Sequence, residues 1–254
     1  MRTASIPQRI LACSLLFLSL CAYGANEPDL YDKVVSNTAR PEADRKRDAL
    51  DRPDEMLRLA GIKAGMQVAD LMAADGYYTE MLSRIVGTKG HVLMLNNTAY
   101  DHWSPDWPKR IAGNRLPNVE HRTVDLNHMD LAAGSLDAVL MIKIYHDLYW
   151  IDPKGTWPKV DVPVVLDQLA RALKPGGVLL VVDHSAKAGT GNGDATRLHR
   201  IEEAFAKKDI ESHGFELVAH SDALRKPEDK RDLLSYEGPG YGHTDRFALA
   251  FRKR

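Results

Sequence analysis

Residues 65–97 constrain this chain more than any other stretch, because the apolar pattern changes its period twice within them. Residues 68–72 form a short apolar run holding one carboxylate, Asp70, and a turn of small residues follows. Met81, Leu82, Ile85 and Val86 then recur at helical spacing, and after Gly87 and Gly90 residues 91–95 form a second run, apolar after His91. An apolar run, a turn, a 3.6-residue period and a second run predict strand, tight loop, helix and strand. That is a βαβ unit, and open sheets built from such units take their ligands at the first crossover.

The downstream chain repeats the alternation. Residues 119–124 predict a third strand ending at Asp125, and residues 136–142, nearly all apolar, predict a buried parallel fourth. An amphipathic helix over 164–173 runs into Lys174-Pro175-Gly176-Gly177, a turn that stops a helix and feeds a fifth strand over 178–182. One long helix is expected over 195–213, then a sixth strand over 215–219 and a seventh over 247–251. Before the βαβ unit, residues 45–59 predict a charged helix that breaks at Arg52 and restarts at Pro53. Residues 98–115 hold Trp103, Pro105, Trp107 and Pro108 and predict an irregular segment at a pocket rim, since proline removes backbone donors.

The order of parts, Asp70 at the end of the first strand, Gly76 closing the loop and the Leu173-Lys174-Pro175-Gly176-Gly177 turn resemble the class I, Rossmann-like S-adenosylmethionine-dependent methyltransferases. The resemblance covers roughly residues 45–254. It implies an α/β fold with a seven-stranded, mostly parallel sheet in the order 3-2-1-4-5-7-6 and helices on both faces. It also implies S-adenosylmethionine as cofactor and a small-molecule substrate. The chain departs from the family in its glycine loop, where Met72 and Ala74 fill two glycine positions, and at the end of the second strand, where Asn96 replaces an acid. These departures motivate the alternative of a non-catalytic ligand-binding protein with the same fold.

With 254 residues, 44% hydrophobic and 27% charged, the chain suits one globular domain with a full core. A formal net charge of −1 suggests no general affinity for nucleic acid. Residues 1–24 read as an export signal: Arg2 and Arg9 precede an apolar run over 10–21, and Ala22-Tyr23-Gly24 offers small residues for cleavage. The run is too short for a permanent span, so the expectation is a periplasmic protein with no stable membrane anchor after cleavage. Both cysteines, Cys13 and Cys21, leave with that segment, which removes disulfides and thiolate chemistry from the rest. Residues 25–44 are polar and mixed and read as an exposed lead-in, with the domain over 45–254.

The topology gathers the ends of strands one to five at one edge. The resemblance assigns cofactor contacts there to Asp70, Met72, Ala73, Gly76, Tyr77, Asn96, Asp125 and Lys143. Gly76 is where a missing side chain matters for close approach. Asp75 is read as an N-cap for the following helix, and Asp125 either contacts the adenine amine or caps residues 127–131. Asn96 can accept from ribose hydroxyls, without the strength of a charged acceptor.

His146 and Asp147 are the catalytic candidates. Methyl transfer from a sulfonium is an in-line displacement, so the protein aligns the nucleophile and, for oxygen or nitrogen, removes a proton. An ordinary imidazole suits that task, with Asp147 or Asp183 to orient it. His146, Asp147, Asp183 and His184 leave adjacent strands, but sequence neighbours usually point apart, so no metal is expected. A nicotinamide dehydrogenase is disfavoured by the missing Gly-x-Gly-x-x-Gly and by Asp75 at the helix start.

Overall fold

A computed structural model describes Met1 and residues 29–254. The export signal expected within residues 1–24 lies outside them, apart from Met1. In chain order the elements are α1 (Leu30–Val35), α2 (Glu42–Asp51), α3 (Pro53–Ala60), β1 (Gln67–Leu71), α4 (Tyr77–Val86), β2 (His91–Asn96), α5 (Thr98–Trp103), α6 (Trp107–Ile111), β3 (Val119–Thr123) and β4 (Leu136–Ile142). They continue as α7 (Val162–Ala172), β5 (Leu173–His184), α8 (Ala195–Leu198), α9 (Glu203–Ser212), β6 (Phe215–Ser221) and β7 (Arg246–Lys253).

The seven strands form one sheet in the order β3-β2-β1-β4-β5-β7-β6. The first five are parallel and β7 is antiparallel to both of its neighbours, the order expected from the sequence. Both faces of the central strands are covered, which is why their sequences are apolar throughout instead of alternating. Val68, Ala138 and Leu140 pack beneath α3 and α4, while Ala69, Val139 and Met141 pack beneath α7. Among the described residues no helix is long and apolar enough to cross a membrane.

Three expectations need correction. Residues 29–41, read as part of an exposed lead-in, dock on the domain. Tyr31 donates its hydroxyl to the Ile62 carbonyl at 2.9 Å, and the buried Arg40 forks onto Asp48 at 2.7 and 2.9 Å. Residues 98–115 are mostly helical, in two short pieces. Pro108 falls in the first turn of α6, where the lost N–H would have had no partner. The long helix expected over 195–213 is two helices, broken where Ile201 forms a bridge with Ser185 beside the sheet. Arg200, fully buried in that break, donates to the carbonyls of Ser185 and Leu233 and to Asp229.

Candidate functional site

A cavity of about 670 Å³ opens at the carboxyl ends of β1, β4 and β5. Its size falls within the roughly 300–1,000 Å³ of small-molecule sites, and its position is the switch point where strand order reverses. Of the expected contacts, Asp70, Met72, Ala73, Tyr77, Lys143, His146 and Asp147 line it, and Gly76, Asn96 and Asp125 do not.

The loop after β1 is built from left-handed backbone. Met72 has φ 56°, Ala74 φ 53° and Gly76 φ 78°, so two side chains occupy conformations that ordinarily call for glycine. Each non-glycine residue held there costs about 1–2 kcal/mol, and the surroundings hold them in place. Asn96, fully buried, accepts from the Ala74 N–H at 3.0 Å and donates to the Ala74 carbonyl at 3.1 Å. Its amide also donates to Asp101 Oδ1 at 3.0 Å. Arg110 Nε donates to the Asp75 carbonyl at 2.7 Å, and the same guanidinium reaches Asp44 at 2.6 Å and Glu80 at 2.9 Å. Asn96 therefore braces the loop, and its amide is committed to that task instead of to a ribose. Asp75 does not cap α4: Gly76 stands at the N-cap and no side chain bonds there. A Cβ on Gly76 would meet Met94 Cε at 3.0 Å.

Asp70 is buried under this loop and accepts from Thr79 Oγ1 at 2.6 Å. Burial pushes its carboxyl up to about 6, against the effect of that hydrogen bond. Tyr77 lines the cavity, but its hydroxyl is spent on Asp48 at 2.5 Å. Asp125 is placed apart, exposed, and accepts from the Asn127 N–H at 2.9 Å in a local turn. That geometry fits the capping alternative for this residue.

A cationic corner lies across the cavity. Lys143 (φ 61°), Arg47 and Arg246 converge on Asp51 at 3.4, 2.7 and 2.6 Å. Burial raises the Asp51 carboxyl, but the three cations outweigh it and hold the group well below its usual range. Burial lowers Lys143 to about 8 despite Asp51. One carboxylate among three cations leaves this corner with surplus positive charge, suited to a carboxylate on a ligand.

His146 is held by both of the acids named as candidates to orient it, Asp183 and Asp147. Its ring Nδ1 lies 2.7 Å from Asp183 Oδ1, and its backbone N–H donates to Asp183 Oδ2 at 2.7 Å. Its Nε2 lies 3.1 Å from Asp147 Oδ1. Burial disfavours the imidazolium, but the two carboxylates prevail and push His146 up to about 10. Both ring nitrogens face carboxylates, an arrangement that favours the protonated ring at neutral pH. Asp147 is held ionised below its usual range, since His146 and His199 outweigh its burial, and its second oxygen accepts from Tyr100 OH at 2.9 Å. His184, also in the cavity, shares a 2.7 Å contact between Nδ1 and Thr244 Oγ1. Burial first, and then neighbouring cations, keep its ring neutral.

The sequence reading missed His199, Tyr100, Trp150 and Asp51, all on the cavity wall. The continuous helix expected over 195–213 places His199 in its interior. Glu202 and Glu203, acids of the kind found in a helix's first turn, were the signal that a fresh helix starts there. Trp103, 46% exposed, is also in the wall, whereas Trp107 stacks on His121 with centroids 3.5 Å apart, away from the cavity. With Tyr100, Trp150, Tyr236 and Tyr241, Trp103 makes one side of the cavity aromatic.

This is the Rossmann-like methyltransferase fold, with a small-molecule cavity at its switch point. Residues 69–181 match the family model described as a methyltransferase domain. The chain is 26% identical over 127 residues to the ubiquinone/menaquinone biosynthesis C-methyltransferase of Haemophilus ducreyi, covering 50% of this chain and 44% of that protein. It is 25% identical over 128 residues to the enzyme of the same description from Saccharophagus degradans, covering 50% of this chain and 46% of that protein. The match thus spans less than half the length of these curated relatives. Among solved structures, a SAM-dependent methyltransferase from Aquifex aeolicus superposes with a TM-score of 0.60 at 20% identity, covering 85% of this chain and 99% of that one. A Burkholderia thailandensis 1,6-didemethyltoxoflavin-N1-methyltransferase, solved with bound 1,6-didemethyltoxoflavin and S-adenosylhomocysteine, gives 0.54 at 14% identity, covering 84% and 81%. At these identities the structural likeness is one of fold.

Proposed function

We propose that this chain is an S-adenosylmethionine-dependent methyltransferase acting on a small molecule with an apolar or aromatic part. The observation that carries the reading is the loop after β1. Its backbone takes left-handed values at Met72, Ala74 and Gly76 even though only one of them is glycine. A chain that tolerates this strain over a buried carboxylate, beside a cavity at the switch point, keeps the loop shape for a ligand.

Asp70 and the loop backbone hold the methionine end of the cofactor, and the corner of Lys143, Arg47 and Arg246 draws its carboxylate. The substrate rests against Trp103, Trp150 and Tyr236, with His146 and Asp147 at the reacting edge. S-adenosylmethionine supplies an electrophilic methyl group when bound. The protein aligns a nucleophile with it and excludes water. His146 and Asp147, each held in place by its own partners, orient the substrate at that edge. Export to the periplasm, expected from the leading segment, belongs to the same reading.

The test is calorimetric titration of the ligand-stripped chain with S-adenosylmethionine and S-adenosylhomocysteine, followed by transfer of a labelled methyl group to a metabolite extract. Micromolar binding that Asp70→Ala weakens by about 10–100-fold, the worth of one charge-assisted contact, supports the reading. Absence of binding at millimolar cofactor overturns it and leaves a repurposed binding fold.

A further inference from the structure

We propose that His146, Asp147 and His199 bind a divalent first-row transition ion, zinc being the simplest case, on the wall of the cavity. His146 Nε2, Asp147 Oδ1 and His199 Nδ1 form a near-equilateral triangle with sides of 3.1, 3.2 and 3.3 Å. Ligand atoms about 2.0–2.1 Å from a common ion stand roughly 2.9 Å apart in octahedral geometry and roughly 3.3 Å apart in tetrahedral geometry. The triangle falls between the two. An ion seated about 1 Å off its plane would satisfy all three bond lengths.

The same distances are long for the hydrogen bonds that would otherwise explain the cluster. Charge-assisted N–H to carboxylate bonds lie near 2.7–2.9 Å, and His146 makes one of that length on its other side, to Asp183 at 2.7 Å. That outer contact fixes the imidazole and turns Nε2 inward, the arrangement of a histidine ligand with a carboxylate behind it. Asp147 is braced in the same way, Tyr100 OH holding its Oδ2 at 2.9 Å while Oδ1 faces the triangle.

His199 is presented by strain. It sits at φ 47° just past α8, with its ring packed against Trp150 and Tyr236 at centroid distances of 5.1 and 4.6 Å. Arg200, buried beside it with its guanidinium fully engaged by Leu233, Ser185 and Asp229, pins the break that makes this conformation possible. Non-glycine residues fixed in such backbone persist where surrounding contacts over-determine them, commonly at functional sites.

Two neutral imidazoles and one carboxylate leave a dication with net positive charge and with coordination positions open to the cavity, since all three residues line it. The proton shared within the triangle leaves to solvent as the ion enters. A hydroxyl, thiol or amine of a substrate can take an open position, and the ion makes its proton easier to lose. The inference goes beyond methyl transfer, and its test is read without the cofactor.

The untagged full chain, stripped with a chelator and dialysed, is titrated with zinc chloride by calorimetry and assayed for bound metal. Cobalt(II) is substituted to read the ligand set from its visible spectrum. One ion per chain at micromolar affinity or tighter is expected, with cobalt bands of nitrogen and oxygen ligation. His199→Ala and Asp147→Asn should each weaken zinc by at least 100-fold, and Asp183→Asn by about 10–100-fold, as for the outer partners of metal ligands. His184→Gln should bind as the parent does. Binding weaker than millimolar overturns the site. So does stoichiometric binding that survives both His199→Ala and Asp147→Asn, or a cobalt–thiolate absorption, which would move the ion to Cys13 and Cys21. If either variant fails to fold by circular dichroism, the parent's cobalt spectrum decides. Loss of the ion with cofactor binding intact refutes the metal alone.

Discussion

The substitution that would bring the end of β2 back to the methyltransferase pattern, Asn96→Asp, is expected to damage this protein. Asn96 is fully buried and makes three hydrogen bonds, accepting from Ala74 N–H and donating to Ala74 C=O and to Asp101 Oδ1. A carboxylate can keep the first. The other two become contacts of about 3 Å between oxygens, one with a carbonyl and one with a second carboxylate. Losing a neutral bond of about 1 kcal/mol and a charged one of about 1.5–3 kcal/mol, and leaving unpaired groups buried, gives a loss of roughly 3–5 kcal/mol. For a chain of this size that is a fall in Tm of roughly 6–20 °C. The assay is urea or thermal unfolding alongside cofactor titration. A companion Asp101→Asn change gives the new carboxylate a donor and should recover about 1–2 kcal/mol, a coupling that a double-mutant cycle isolates. If Asn96→Asp unfolds within 0.5 kcal/mol of the parent and binds S-adenosylmethionine more tightly, the brace assigned to Asn96 is refuted.

The two loop positions that depart from glycine should respond with opposite sign. Ala74→Gly relieves φ 53° and should stabilise by about 0.5–1 kcal/mol net of the freedom glycine gains when unfolded. Met72→Gly removes a side chain that is only 3% exposed and should destabilise by about 2–4 kcal/mol, read by denaturant midpoint. Protonation of Asp70 near pH 6 should weaken cofactor binding as pH falls below that value, whereas affinity that is flat between pH 5 and 8 would remove Asp70 from the contact. His146 is raised from 6.5 to about 10 in the folded chain. In chelator-treated protein its contribution to stability is therefore complete below about pH 6.5 and lost as pH rises toward 10, a fall that His146→Gln should abolish.

What the sequence by itself determined is the fold, because patterning and turn chemistry are local. The switch from an apolar run to a 3.6-residue period after Asp70, the unbroken apolar stretch of β4 and the Lys-Pro-Gly-Gly turn before β5 each report their own element. Parallel strands covered on both faces leave few other arrangements. Asp70, Lys143, His146 and Asp147 were legible for the same reason, as residues at or just past strand ends. What only the tertiary structure decided is how those side chains are employed. The amide of Asn96 is engaged by a loop residue far back in the chain, and His146 holds its proton because Asp183 arrives from the neighbouring strand. His199 enters the cavity because a helix that looked continuous breaks to let Ile201 bridge with Ser185. Partners distant in sequence set charge and direction, and no local pattern records a distance between two strands.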